Sequence, residues 1–223
     1  MLNDNLTGKS DTHITWLDNG IGLHTDALAS WQELCDAANS DNIHIEIVSG
    51  FRPFERQLAI WNAKYTGERP VKDLANNTLA LGSLSSPEKI AAIMLYSALP
   101  GASRHHWGTD IDVYSPSLLS KDQALQLEPW EYEEQGPFSS LSKWLQENAH
   151  QFGFYFPYKE YLGGVAPEPW HLSYFPLADD FTRQLSIDLL YEAPLNEELA
   201  GKSDILSTLP SLYNQFIVNI NMS

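Results

Sequence analysis

Two short stretches limit what this chain can become: Thr109-Asp110-Ile111-Asp112-Val113-Tyr114 and Trp170-His171-Leu172-Ser173-Tyr174-Phe175. In both, apolar residues alternate with residues able to carry chemistry. That is the period of a β-strand, whose successive side chains point to opposite faces. Asp110 and Asp112 then share one face while Ile111 and Val113 take the other. Likewise His171 and Ser173 face away from Trp170, Leu172 and Tyr174. Strands of this kind bury the apolar face and leave carboxylates and an imidazole to line a cleft. A third segment, residues 43–48, alternates Ile43, Ile45 and Ile47 with His44 and Glu46 and predicts another half-buried strand.

Helical periodicity separates these segments. Thr25 is placed as an N-cap for a helix carrying Leu28, Trp31, Leu34, Cys35 and Ala38 on one face. Pro53 suits the first turn of a helix through residues 54–66, which Gly67 can stop. Ser86-Pro87-Glu88 opens a helix that Pro100-Gly101 should end, and Leu141, Trp144, Leu145, Asn148 and Phe152 mark another closed by Gly153. Residues 68–85 read as loop and residues 115–140 as an acidic surface loop, with Glu131, Glu133 and Glu134 solvated. Residues 154–175 read as aromatic strands around a turn at Gly163-Gly164, and Phe181, Leu185, Leu189, Leu206, Leu209, Leu212 and Phe216 as helical patterns. Helices and short strands are mixed without strict βαβ alternation, and no glycine-rich phosphate loop follows a strand. The prediction is an α+β fold with a small antiparallel sheet flanked by helices, in one domain of residues 1–223.

Charge narrows the partners. The chain carries 29 acidic against 13 basic residues, a net charge of −16, so nucleic acid and anionic membrane surfaces are repelled. An anionic substrate is repelled at long range too, and its recognition falls to a few local cations. No stretch approaches the roughly 18 apolar residues needed to span a bilayer, so no membrane insertion is expected. Cys35 is the only cysteine and reads as a small buried apolar residue; no intrachain disulfide can form. Residues 1–13 show no basic segment followed by an apolar run. The expected location is therefore cytoplasmic, or periplasmic if a leader has been removed.

The chemistry rests on two clusters. His105 lies across Gly108 from Asp112, where the chain can turn back and bring imidazole beside carboxylate. Glu168 and His171 flank Pro169-Trp170, and Pro169 keeps Glu168 out of a regular ladder. Taken separately, each is as well explained by a surface hydrogen bond or a satisfied histidine. Together, two histidines and one aspartate supply three ligands and leave a fourth position open, the arrangement of catalytic zinc, with Glu168 free to act as general base.

The segments Ser103-Arg104-His105-His106-Trp107-Gly108-Thr109-Asp110-Ile111-Asp112 and Glu168-Pro169-Trp170-His171 resemble the S-x-H-x-x-G-x-x-x-D and E-x-W-H motifs of the zinc D-Ala-D-Ala peptidases. The segment from Ser49 to Gln57 is similar to that family's S-G-[YF]-R-x-x-x-x-Q, and residues 144–154 to the helix before its second motif. The resemblance covers roughly residues 25–175 and leaves 176–223 as a C-terminal extension. It implies the small α+β fold shared with the Hedgehog signalling domain, and one Zn2+ per chain held by His105, Asp112 and His171. It further implies Glu168 as base, Arg52 as the group that binds and polarises substrate, and Ser103 and Gln57 as substrate contacts. The implied activity is hydrolysis of the bond before a C-terminal D-Ala of a small cell-wall stem peptide. A murein endopeptidase, or a zinc-stabilised binding module without turnover, are the alternatives. Two positions depart from the family pattern: Asp110 stands where alanine is usual, and Pro53 where serine is common.

Overall fold

The computed structural model describes residues 1–193 and 197–222. A two-stranded antiparallel sheet pairs β1 (Ile14–Trp16) with β2 (Gly22–His24). The main sheet has four strands, β3 (Glu46–Ser49), β4 (Asp110–Tyr114), β5 (Phe154–Tyr155) and β6 (His171–Tyr174), in the order β3-β4-β6-β5 and antiparallel throughout. Around it, among the described residues, lie α1 (Asn3–Leu6), α2 (Leu28–Ser40), α3 (Phe54–Tyr65), α4 (Ser86–Met94), α5 (Pro129–Tyr132), α6 (Ser139–Asn148), α7 (Phe175–Gln184), α8 (Ile187–Glu192) and α9 (Lys202–Leu212).

The alternation in β4 and β6 divides the molecule into two apolar clusters. Ile111, Val113 and Leu172 are buried against α2 and α6, with Trp31, Leu34, Leu141 and Leu145. Truncating one such residue, as in Ile111→Ala, costs about 2–5 kcal/mol. The second cluster joins Trp61 of α3, Ile90 and Ile93 of α4 and Phe181 of α7 to Ile205 and Leu209 of α9. Between the clusters runs the polar face of the sheet. Its register sets Asp112 directly opposite His171 and Asp110 opposite Ser173, and a bulge in β3 brings Ser49 opposite Asp112.

Several boundaries differ from those predicted. The third strand begins at Glu46, because Asn42 adopts a left-handed turn (φ 60°) and Ile43 N–H bonds back to Ala38 O at the end of α2. Thr25 opens a 3-10 turn capped by His24, ahead of α2. Pro53 is the N-cap of α3, one position earlier than expected. The helix opened by a Ser85–Glu88 capping box ends at Met94, well before Pro100. The following carbonyls are taken elsewhere, Leu95 O by Ala166 N–H and Ala98 O by the Gln57 side chain. Glu131 is buried, accepting from the Gln126 and Glu128 amides, so this part of the acidic run is a structural cap and not a solvated face.

The region around Gly163-Gly164 is a loop held from outside, where a β-turn between strands was expected. Gln215 donates to Gly163 O, Asn219 to Leu162 O, and Asn221 N–H to Pro157 O. A Cβ on Gly164 would lie 2.0 Å from Gln215 O, so only glycine permits this approach. The C-terminal segment thus shapes the loop that leads into Glu168 and His171.

Candidate active site

The S-x-H segment reaches the sheet through a 3-10 turn, Arg104–Trp107, ended by Gly108 at φ 67°. A Cβ there would meet Ile14 Cδ1 at 2.4 Å and His24 N at 2.7 Å, so the reversal that returns the chain to β4 requires glycine. It places His105 beside Asp112, with Nε2 3.4 Å from Oδ2. From the neighbouring strand His171 Nδ1 stands 3.3 Å from Asp112 Oδ1 and 3.2 Å from Glu168 Oε2. The two imidazole rings meet edge to face at 4.9 Å.

These three residues fit a metal ion. One ligand atom from each of His105, Asp112 and His171 lies within 4.8 Å of the others, and all three side chains are buried. Asp112 Oδ1 and His171 Nδ1 are buried with no hydrogen-bond partner, a costly state for groups deprived of water. Burial by itself would lower the pKa of His171, yet the surrounding carboxylates of Asp110, Asp112 and Glu168 raise it well above the usual histidine value. Burial would likewise raise Asp112, but the two histidines hold it below the usual carboxylate range. A field that charges a buried imidazole is one that a bound cation would neutralise.

Hydrogen bonds behind the cluster select which ring nitrogens face it. His105 Nδ1 donates to Gly50 O at 3.0 Å and leaves Nε2 for the site. His171 Nε2 donates to Asp110 Oδ1 at 3.0 Å and leaves Nδ1. Asp110 is fully buried and occupies a closed network: Arg104 Nε donates to Oδ1 at 2.7 Å, and Thr109 and Ser173 hydroxyls donate to Oδ2. Arg104 continues to Ser173 Oγ, Tyr155 Oη and Thr182 Oγ1, with its guanidinium 4.8 Å from the centre of the Trp107 ring. Carboxylates in this position orient a ligating histidine and raise its basicity. The departure at position 110 therefore supplies a partner for a candidate metal ligand.

Arg52 is held at the end of β3. Nη1 donates to Gln57 Oε1 at 3.0 Å, Nη2 donates to Ser49 Oγ at 2.9 Å, and Nη2 lies 3.9 Å from Asp112 Oδ2. His106 turns away from the cluster and ties the backbone: Nδ1 donates to Arg52 O while Nε2 accepts from Gly101 N–H. Gln57 does not reach the cavity. It is fully buried, and its amide is shared between Arg52 and Ala98 O, so it positions the arginine from behind. The expected direct contact to substrate at position 57 is thereby corrected: both ends of the amide are already used. Ser103, in contrast, lines the cavity.

That cavity, of about 480 Å³, collects Arg52, Ser103, His105, Asp112, Glu168 and His171 in one space. Sequence reasoning missed several residues that complete it. Tyr158 packs its ring 5.0 Å from His171 and its carbonyl accepts from Glu168 N–H. Phe216 and Ile217, from a π-helical turn after α9, form part of the wall. Only the alternation at Asp110 signalled any of this; Arg104 and Tyr158 carried no local pattern, and the helical spacing of Phe216 did not point to the cavity.

A His/Asp/His cluster built on two strands and a 3-10 turn, with an adjacent glutamate and a fixed arginine, defines a metallopeptidase type of site. Comparison with known proteins agrees. The model of the VanY family, D-alanyl-D-alanine carboxypeptidase, matches residues 20–177, and the chain belongs to this family. An uncharacterized protein of Haemophilus influenzae is 43% identical over 122 residues, covering 54% of this chain and 93% of that protein. A D-alanyl-D-alanine carboxypeptidase of Enterococcus faecalis is 28% identical over 172 residues, 76% of this chain; the match spans about half (54%) of the enterococcal protein. Among solved structures, a vancomycin-resistance D,D-pentapeptidase VanY in complex with Zn(II) superposes with TM-score 0.52 at 25% identity, covering 79% of this chain and 86% of that one. VanYB in complex with D-alanine-D-alanine shares the fold, with TM-score 0.56 at 24% identity over 79% of this chain and 84% of that one. The expected α+β architecture with a helical C-terminal extension is the one observed.

Proposed function

We propose that this chain is a zinc-dependent carboxypeptidase that hydrolyses the peptide bond before a C-terminal D-alanine of cell-wall stem peptides. The observation that carries the reading is the His105, Asp112 and His171 cluster, with two orphaned buried ligand atoms, opening on the same cavity as Glu168 and Arg52. His105, Asp112 and His171 would hold one Zn2+. Zinc in such a site acts as a Lewis acid and lowers the pKa of a bound water to about 7.

The chain's own residues supply the remainder. Glu168 is fixed by its backbone bond to Tyr158 and by Pro169, with its carboxylate beside His171. From there it takes a proton from the attacking water and delivers it to the leaving nitrogen, as a general base and then a general acid. Arg52 is oriented by Ser49 and Gln57 and presents a planar cation at the mouth of the cluster. It polarises the scissile carbonyl and stabilises the oxyanion. Ser103, lining the same cavity, contributes a contact to the substrate.

Incubating the metal-loaded protein with defined muropeptides that end in D-Ala-D-Ala, and weighing the products by mass spectrometry, tests this. Release of one free D-Ala per peptide is expected. Cleavage within the stem or cross-bridge would replace the carboxypeptidase by an endopeptidase, and no cleavage would leave a zinc-stabilised binding module.

A further inference from the structure

The cavity reverses the sign of the molecule. In a chain of net charge −16, five of the thirteen cationic side chains line it, against three carboxylates. Most of these charges are accounted for. Arg104 is paired with Asp110, Lys72 with Glu128, and Arg52 lies beside Asp112 with its terminal nitrogens held by neutral neighbours. Lys64 differs. Its ammonium is partly buried in the cavity wall and donates one hydrogen bond, to Ser97 Oγ at 2.6 Å. Among the described residues no carboxylate lies within ion-pairing distance of it.

An ammonium has three donors, and withdrawing it from water without a counter-charge is unfavourable. Burial lowers the pKa of Lys64 to about 8, with Glu168 pulling upward and Arg69 and Arg52 downward, so the group remains mainly charged at neutral pH. Its place is set by α3. Gln57, Ile60 and Lys64 fall on one helix face; Gln57 anchors Arg52 while Ile60 and Lys64 line the cavity. The backbone from position 57 to 64 rises on the order of 10 Å, about the length of three extended residues. The helix therefore anchors one cation, Arg52, beside the cluster through Gln57 and carries a second, Lys64, farther along the cavity wall.

We propose that Lys64 is a specificity-determining residue whose ammonium, oriented by Ser97, binds a carboxylate group of the peptide substrate. This rests on reading the cavity as a peptidase site. The carboxylate is either the terminal one of the leaving residue or that of an acidic side chain nearer the N-terminus, and both are recognised by the same chemistry. Arg69, exposed at the cavity edge, adds to the attraction for an anionic group.

Equilibrium titration of zinc-loaded Glu168→Gln protein, which retains the site without turnover, tests the proposal with two matched pairs of peptides. One pair ends in D-Ala-D-Ala as free acid or C-terminal amide. The other carries Glu or Gln at the residue before that dipeptide. Adding Lys64→Met should weaken binding of the acid member of one pair by about 10- to 100-fold, the scale of a lost charged hydrogen bond. Its neutral partner should be unaffected, Lys64→Arg should recover part of the loss, and the pair that responds identifies the carboxylate. Equal affinities for all four peptides in Lys64→Met and its parent would overturn the proposal. So would an equal loss for all four, which would make Lys64 a wall residue only, or failure of every peptide to bind. If the wild-type chain binds acid peptides through Lys64 yet hydrolyses none, the peptidase reading fails while the carboxylate site stands.

Discussion

The two walls of the cavity are built on opposite principles. On the sheet wall, polar groups behind the cluster are matched: His171 to Asp110, Asp110 to Arg104, Arg104 to Ser173, Tyr155 and Thr182. Within the cluster itself, Asp112 Oδ1 and His171 Nδ1 are left without hydrogen-bond partners and face a common point. On the helical wall, Lys64 keeps donors in reserve, and Phe216 and Ile217 offer apolar surface. A satisfied buried network fixes geometry to fractions of an ångström, whereas spare donors select what enters. The first wall is suited to holding a metal and running chemistry, the second to choosing a substrate.

If that division holds, substitutions should separate cleanly by wall. The largest effect belongs to Glu168→Gln, which keeps shape but cannot take a proton. Turnover should fall by about 10²–10⁴-fold, with zinc content by elemental analysis close to wild type. Equal turnover in variant and parent would remove Glu168 from proton transfer. Arg52→Lys follows, retaining charge but losing the planar fork that Ser49 and Gln57 orient. A drop of about 10²-fold in kcat, with zinc retained, is expected for loss of an oxyanion donor. A change confined to KM would move Arg52 to ground-state binding and blur the contrast between the walls.

Asp110→Asn comes next and probes the network behind the candidate metal ligands. Asparagine can still accept from His171, but Arg104 is left without a counter-charge in a fully buried place. Zinc affinity, read by competition with a chelator, should weaken by about 10- to 100-fold, the usual effect of altering a ligand's outer partner. Asp110→Ala should also destabilise the fold by about 3–5 kcal/mol in denaturant unfolding, because a buried charge is then unpaired. Unchanged zinc affinity in Asp110→Asn would make this network structural only. The smallest effect is expected for Lys72→Met, on the same wall as Lys64. Its partner Glu128 is present and the pair is part-exposed, so about 0–1 kcal/mol is at stake. Peptide affinity should be indistinguishable from wild type, and a loss matching that of Lys64→Met would erase the distinction between paired and unpaired cations.

Local periodicity was sufficient to place the candidate metal-ligating groups. Alternation in β4 and β6 put Asp112 and His171 on the polar faces of their strands, and Gly108 marked the reversal that carries His105, because these patterns act within a few residues. The helices α2, α3, α4 and α6 were legible for the same reason, although α4 ended early where the following carbonyls found partners elsewhere, at Leu95 and Ala98. Tertiary structure alone decided the rest. The pairing of Asp112 with His171 spans 59 positions, the Arg104–Ser173 bond 69, and the bond from Gln215 to Gly163 spans 52. No local signal encodes a contact that exists only after two cores have packed. The role of Gln57 behind Arg52, the burial of Glu131 and the entry of Phe216 into the cavity wall all follow from that packing. Sequence determined which residues could react and on which face of their strands they lie. Folding determined which of them meet, which nitrogen of each histidine faces the site, and which cavity cations lie without a carboxylate partner among the described residues.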